Sequence, residues 1–227
     1  MPLAQAICTK ITDAVVERIR SDGGRIPCSK GCSACCSSLV PLSVPEALRL
    51  REAILAMPES QRRLMQQSCL LVAQRILKRK PPKSFVGQTT GTSPNSLAEW
   101  NKVASWYTNL NLDCPFHYKG VCTIYEQRPL ACREHFVKGS ARACRGGRGT
   151  AEVVEMPVQM VDALAQLASE LEGTDVKAVM LPLALFWAQE NVERAKQTWP
   201  VAMMAQRFVE IVKVMASKNS TAVITQT

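Results

Sequence analysis

Histidine is nearly missing from this chain of 227 residues. There are two, His117 and His135, and aromatic residues make up only 5%. No His-Glu-x-x-His helix signature occurs, no nucleotide-cradling glycine motif and no Gly-x-Ser-x-Gly elbow, so hydrolase and nucleotide-dependent readings have no motif to rest on. Long apolar runs are missing as well. The longest, Ala178 to Ala188, has eleven residues and includes Pro182, short of the roughly eighteen that a membrane-spanning helix needs. No cationic leader precedes an apolar block at the start; Ile7, Ile11, Val15 and Ile19 instead recur every four residues, as on an amphipathic helix. The expectation is a cytoplasmic protein with no membrane span. Acidic residues are the minority charge, 19 against 28 basic, a formal net charge of +9. With 47% apolar residues the chain can bury one good core.

Cysteine, by contrast, is abundant and uneven. Eight of the ten fall in two groups: Cys28, Cys32, Cys35 and Cys36, then Cys114, Cys122, Cys132 and Cys144. Cysteines used for packing would be scattered among apolar positions, whereas CSKGCSACC sets four thiols among Ser, Gly, Lys and Ala. A disulfide framework would imply an oxidising compartment and a small scaffold with little core, and the sequence signals neither. The reading is therefore a thiolate metal or iron-sulfur site. Cys8 and Cys69 stand alone in helical stretches and read as core.

Spacing constrains that site. Cys32-x2-Cys35 is a two-residue gap that lets two thiolates converge from a tight turn. Cys35 and Cys36 are adjacent, and adjacent side chains diverge by about 100° on a helix and alternate faces on a strand, so Cys36 is expected to serve a second ion or a larger cluster. Were the segment helical, Cys28 and Cys36 would sit about 12 Å apart along the axis, too far for one tetrahedral ion. A loop and a partner segment are required. The second group, with gaps of seven, nine and eleven residues, supplies the partner and converges only through the fold. Soft sulfur donors suit zinc and iron-sulfur clusters alike: two four-cysteine zinc sites would consume all eight thiols, whereas one 4Fe-4S cluster takes four and leaves four. Four thiolates around either centre leave it near −2, so two centres would bring the net charge to roughly +5. His117 and His135 lie inside the second group and read as hydrogen-bonded residues, with a ligand role open.

CSKGCSACC, the Cys114-Pro115 step and GVCTIYEQRPLACR together resemble the YkgJ-type cysteine-cluster proteins, the CxxCxxCC family of zinc- or iron-chelating domains. The resemblance covers residues 28 to 36 and 114 to 136. It implies Cys28, Cys32, Cys35, Cys36, Cys114, Cys122 and Cys132 as ligands of zinc or of an iron-sulfur (4Fe-4S) cluster, with Tyr125, Arg128, Pro129 and Arg133 as accompanying residues. Three residues separate Cys28 from Cys32 where the family name implies two, and Cys144 joins the set by position alone. Family labels favour an Fe-S oxidoreductase without naming a reaction. Guanidinium groups beside an anionic thiolate site would stabilise it and donate to sulfurs or backbone carbonyls, which gives Arg128 and Arg133 a physical role.

Helical signals dominate the rest, so the expected fold is mainly α, a single compact domain of helices with a cysteine-rich metal-binding loop region. Ser43 with Glu46 reads as a capping box for a helix from Val44 to Ala56, and Pro58 to Arg79 continues with Leu64, Leu71 and Ile76. Residues 80–95 read as a loop, after which Ser96 with Glu99 caps a helix through Leu97, Trp100, Ala104 and Tyr107. Pro157 suits a first helical position, ahead of Val161, Leu164, Ala168 and Leu171 and a stop at Gly173. Leu183 to Gln197 and Val201 to Ala216 read as two more helices. The expected organisation is a cysteine-cluster domain over 1–150, with an inserted helical block near 44–110, and a helical extension over 151–227 packing on it. Basic stretches at Lys78, Arg79, Lys80 and Lys83, and at Lys138, Arg142, Arg145 and Arg148, fit an acidic protein or RNA partner or a solvated surface. Two roles stay open: a redox or metal-dependent enzyme, and a structural or regulatory zinc protein.

Overall fold

A computed structural model describes residues 1–83, 85, 97–145, 149–175 and 178–224. The fold is mainly α. Eight α-helices carry it among these residues: α1 (Pro2–Ser21), α2 (Val44–Leu55), α3 (Glu59–Lys78), α4 (Leu97–Asn109), α5 (Leu130–Glu134), α6 (Met160–Glu172), α7 (Ala184–Glu190) and α8 (Val201–Ile224). Six short strands form three separate antiparallel pairs: β1 (Pro41–Ser43) with β6 (Ala178–Met180), β2 (His117–Tyr118) with β3 (Val121–Cys122), and β4 (Val137–Gly139) with β5 (Ala151–Val153). The β1–β6 and β4–β5 pairs act as clips between separate segments, and β2–β3 is a local hairpin. The β1–β6 clip pairs Leu42 with Val179 and lays the end of the first cysteine loop against the approach to α7.

The expected start of α2 is present. Glu46 Oε2 accepts from the Ser43 backbone N–H at 2.9 Å and from its hydroxyl at 2.7 Å, the reciprocal bond of a capping box. From there Ala47, Leu50 and Ile54 are buried against α7 and against Met65 and Cys69 of α3. The buried face of α3 is Met65, Cys69, Val72, Ala73 and Ile76. Cys69 is core as expected, and of Leu64, Leu71 and Ile76 the last is buried while the first two are 39% and 50% exposed; the helix carries apolar residues on two neighbouring stripes, and contact with α2 and α4 selects one. On α4 the buried pair is Val103 and Tyr107, while Ala104 faces solvent. Ser96 and most of the expected 80–95 loop lie outside the described residues.

The α6 helix begins at Met160, three residues after Pro157, and ends at Gly173, which takes the left-handed conformation at φ +62°, a conformation glycine adopts without a Cβ clash. Val161, Leu164, Leu167 and Ala168 are buried, each large aliphatic side chain contributing about 1.5–3 kcal/mol. Val161, Leu164 and Leu167 meet Ala4 and Cys8 of α1 and Phe208 and Ile211 of α8. Arg207 on α8 adds two hydrogen bonds to Glu170 on α6, at 2.7 and 3.0 Å. The expected helix over 183–197 is broken into α7 and two 3-10 turns, and α8 runs past Ala216 to Ile224.

Candidate metal centre

The first cysteine loop is a chain of turns, neither helix nor strand. Cys32 N–H donates to Ser29 O, Cys36 N–H to Ser33 O and Ser38 N–H to Cys35 O, each at 3.0 Å, and Gly31 sits at φ +96°. Consecutive turns reverse the chain every three or four residues, which folds four thiols into a small volume. Here one geometric expectation is corrected. Cys35 and Cys36 do not diverge: both line one cavity and each shifts the other's protonation, because the 34–37 turn has neither the helical nor the strand alternation.

The second group arrives on a hairpin. Between β2 and β3 lie Lys119 at φ +48° and Gly120 at φ +82°, the paired left-handed residues of a two-residue hairpin loop. The hairpin meets the first loop through Cys114 N–H donating to Cys36 O at 2.6 Å. A 3-10 turn (Tyr125–Gln127) then leads into α5, which carries Cys132.

Six thiols, those of Cys32, Cys35, Cys36, Cys114, Cys122 and Cys132, line one cavity of about 450 Å³, together with Tyr125, Arg128 and His135. Cys28 and Cys144 stand outside its wall. Cys28 packs near Ile19, Phe136, Val154 and Met156, and Cys144 is exposed; each lies within electrostatic range of Cys32 and Cys35, and Cys144 also raises Cys28. The thiols therefore form a deep group (Cys36, Cys114, Cys122 and Cys132) and an outer group (Cys28, Cys32 and Cys144), with Cys35 felt by members of both. All ten cysteines are free thiols. Among the described residues no three Cys, His, Asp or Glu side chains are drawn to one ion's spacing; the thiols face a shared space rather than a point.

Burial governs their protonation. It pushes Cys114 up to about 12 and raises Cys122, Cys132, Cys28 and Cys144, with repulsion from neighbouring thiols acting in the same direction. Cys35 goes the other way, because the Cys36 thiol donates to it; His135 and Arg128 add attraction. Half-buried thiols that hold their protons, at Cys36, Cys114, Cys122 and Cys132, beside the more acidic Cys35, suit a soft cation that takes the place of the protons. Soft donors of this kind fit zinc and iron-sulfur centres.

The two motif arginines behave differently. Arg128 lies 3.7 Å over the Tyr125 ring and donates to Tyr125 O at 3.1 Å, and its charge favours the thiolates of Cys35, Cys122 and Cys132. Arg133 turns away, donating to the carbonyls of Arg128 and Glu126. It buttresses the loop backbone.

Two buried carboxylates were invisible as site residues in the sequence. Glu46 Oε1 accepts from Leu130 N–H at 2.7 Å, so the residue that caps α2 also caps α5 and sets the position of Cys132. Glu134 Oε1 accepts from Met160 N–H at the start of α6, while Oε2 is buried with no hydrogen-bond partner among the described residues. Burial lifts Glu134 to about 8. The Ser43–Glu46 spacing signalled a local cap; no local signal points from Glu46 to a residue 84 positions away.

No curated protein and no solved structure matches the chain. The family model for the CxxCxxCC domain, described as zinc- or iron-chelating, matches residues 27–146, just over half of the 227 and the segment that holds every cavity thiol. With that stretch matched end to end, the chain belongs to the CxxCxxCC family of zinc- or iron-chelating domains.

Proposed function

We propose that this chain is an iron-sulfur protein in which cavity thiolates hold a 4Fe-4S cluster that serves a redox reaction. The observation that carries this reading is the shared cavity of about 450 Å³ with six thiols in its wall. A closed zinc site draws four sulfurs to about 2.3 Å from one ion and leaves no such space, whereas a polynuclear cluster is held by thiolates spread around a larger body. In this reading Cys36, Cys114, Cys122 and Cys132 are the deep ligands. Cys28, Cys32, Cys35 and Cys144 edge the same cluster or hold a second centre. Residues 1–150 carry the ligands, and residues 151–227 supply the helices against which they are packed. Arg128 on Tyr125 sets the charge beside the sulfurs, and such neighbours tune potential.

The test is metal and acid-labile sulfide content after anaerobic purification. The expected result is brown protein with iron and sulfide in equal amounts and visible absorption that bleaches on reduction. Colourless protein with about two zincs per chain would replace this reading with the structural one. That second reading draws on a separate observation: Lys78, Arg79, Lys80 and Lys83 are all exposed at the end of α3, a basic surface for an acidic protein or RNA partner.

A further inference from the structure

The β2–β3 ladder determines which side chains share a face. His117 stands directly opposite Cys122, and Tyr118 opposite Val121. Directly opposed residues of an antiparallel pair project to the same face, with Cβ atoms about 4.5–5.5 Å apart. Tyr118 and Val121, 48% and 52% exposed, occupy the solvent face. His117 and Cys122 therefore share the inner face; Cys122 is in the wall of the thiol cavity, and His117 stands beside it without lining the cavity itself. The backbone ties His117 to a second cavity-lining residue as well, its N–H donating to the Cys114 carbonyl at 2.9 Å.

The imidazole itself is 14% exposed, with Asp113 Oδ1 3.9 Å from Nδ1. A carboxylate on that side favours the proton on Nδ1 and leaves the lone pair on Nε2. Nε2 is fully buried and has no hydrogen-bond partner among the described residues. Buried polar atoms are as a rule satisfied, so an imidazole nitrogen enclosed on the face of Cys122 calls for a partner outside the described protein. A ligating imidazole has this arrangement, one nitrogen on the metal and the other turned to a carboxylate.

We propose that His117 is a nitrogen ligand, through Nε2, of the centre held by the cavity thiols, with Asp113 as the carboxylate that orients it. The proposal rests on the metal-binding reading above and holds for either metal. It makes the donor set mixed. A neutral imidazole in place of one thiolate leaves the centre one negative charge smaller, which raises the potential of an iron-sulfur cluster.

The test is X-ray absorption at the bound metal in the full-length, metal-loaded wild-type chain, followed by His117→Cys and His135→Ala. The expected result is a nitrogen shell with imidazole scattering in the wild type, at about 2.0–2.1 Å against about 2.3 Å for sulfur if the metal is zinc. That shell survives in His135→Ala and vanishes in His117→Cys, which keeps its metal. His117→Ala loses metal to a chelator at least about tenfold faster. The chain has two histidines, so the wild-type spectrum decides even if a His117 variant does not fold. An all-sulfur shell around bound metal overturns the proposal and leaves the metal-binding reading intact, as does an imidazole signal that persists in His117→Cys. Wild-type protein that binds no metal overturns both.

Discussion

The α6–α8 face and the cysteine face of this molecule are held together by different means. On the first, Val161, Leu164, Leu167, Phe208 and Ile211 are buried in one cluster with α1, and the order of the helices follows from apolar area removed from water. On the second, the chain from Pro27 to Val40 contains no α-helix or strand and depends on turn hydrogen bonds and on backbone bonds from Cys114 to Cys36 and from Leu181 to Val40. The α5 helix that carries Cys132 is fixed by two buried carboxylates, Glu46 of α2 accepting from Leu130 and its own Glu134 accepting from Met160 of α6. Packing positions the helices, and polar bonds position the thiols. A region built in the second way has little reason to stay put once its ligand is gone.

Metal removal should therefore split the molecule. After chelation under reducing conditions, amide protons of residues 28–36 and 114–134 are expected to lose protection, while those of α6 and α8 keep most of theirs. The scale is large, since structural metal binding contributes on the order of 10 kcal/mol to folding. Uniform retention of protection across both regions would break the comparison.

Next in size is a pair of single substitutions. Leu164→Ala should cost about 2–5 kcal/mol by leaving a cavity in the helical cluster, with metal content unchanged. Cys122→Ala should strip metal and lower the melting temperature together. Cys69→Ala, on a residue buried among apolar neighbours, should behave like Leu164→Ala in kind, though smaller in size. Metal loss from Cys69→Ala would move the boundary between the two regions.

The carboxylates sharpen the comparison through pH. Burial holds Glu134 well above the ordinary carboxylate range, at about 8, with the charges of Glu46 and Asp162 acting in the same direction and the Met160 N–H opposing them. A folded-state value above the unfolded one means a contribution fully present below about pH 4.3 and lost as pH rises towards 8. Wild-type stability is thus expected to fall across that window, and Glu134→Gln to flatten the fall. Thermal melts from pH 4 to 8.5 on both proteins check this; parallel curves would exclude Glu134 as the cause.

The smallest effect separates the arginines. Arg128→Ala should leave the fold intact and weaken metal retention roughly tenfold to a hundredfold. Arg133→Ala should act through stability, because its bonds go to the carbonyls of Arg128 and Glu126. Arg63→Ala, an exposed residue paired with Glu59 on α3, should change stability by less than about 0.5 kcal/mol. Chelator competition beside melting curves distinguishes the three. Equal retention in Arg128→Ala and Arg63→Ala would leave Arg128 with only its Tyr125 contact.

How much was legible beforehand follows from how local each signal is. The Ser43–Glu46 box and the Gly173 stop act over three or four residues, and both appear in place. On α3 the sequence places Cys69 and Ile76 correctly in the core, whereas Leu64 and Leu71 are exposed and Met65 is buried in their place, because two apolar stripes differ by one residue and only the neighbours of α3 choose between them. Pro157 was compatible with a helix start, yet Glu134 caps the helix at Met160, a partner 26 positions away that periodicity does not contain.

For the site, the sequence by itself determined the donor chemistry, eight clustered thiols within a family of zinc- or iron-chelating domains, since ligand type is a property of the residues alone. The tertiary structure decided the grouping: which six thiols share a cavity, that Cys28 and Cys144 stand outside it, and that His117 lies enclosed on the face of Cys122. Thiols separated by as many as 100 positions of chain (Cys32 to Cys132) become neighbours only through hairpin register, helix packing and the reach of Glu46 to Leu130. Those are relations between segments, and no single segment's sequence encodes them.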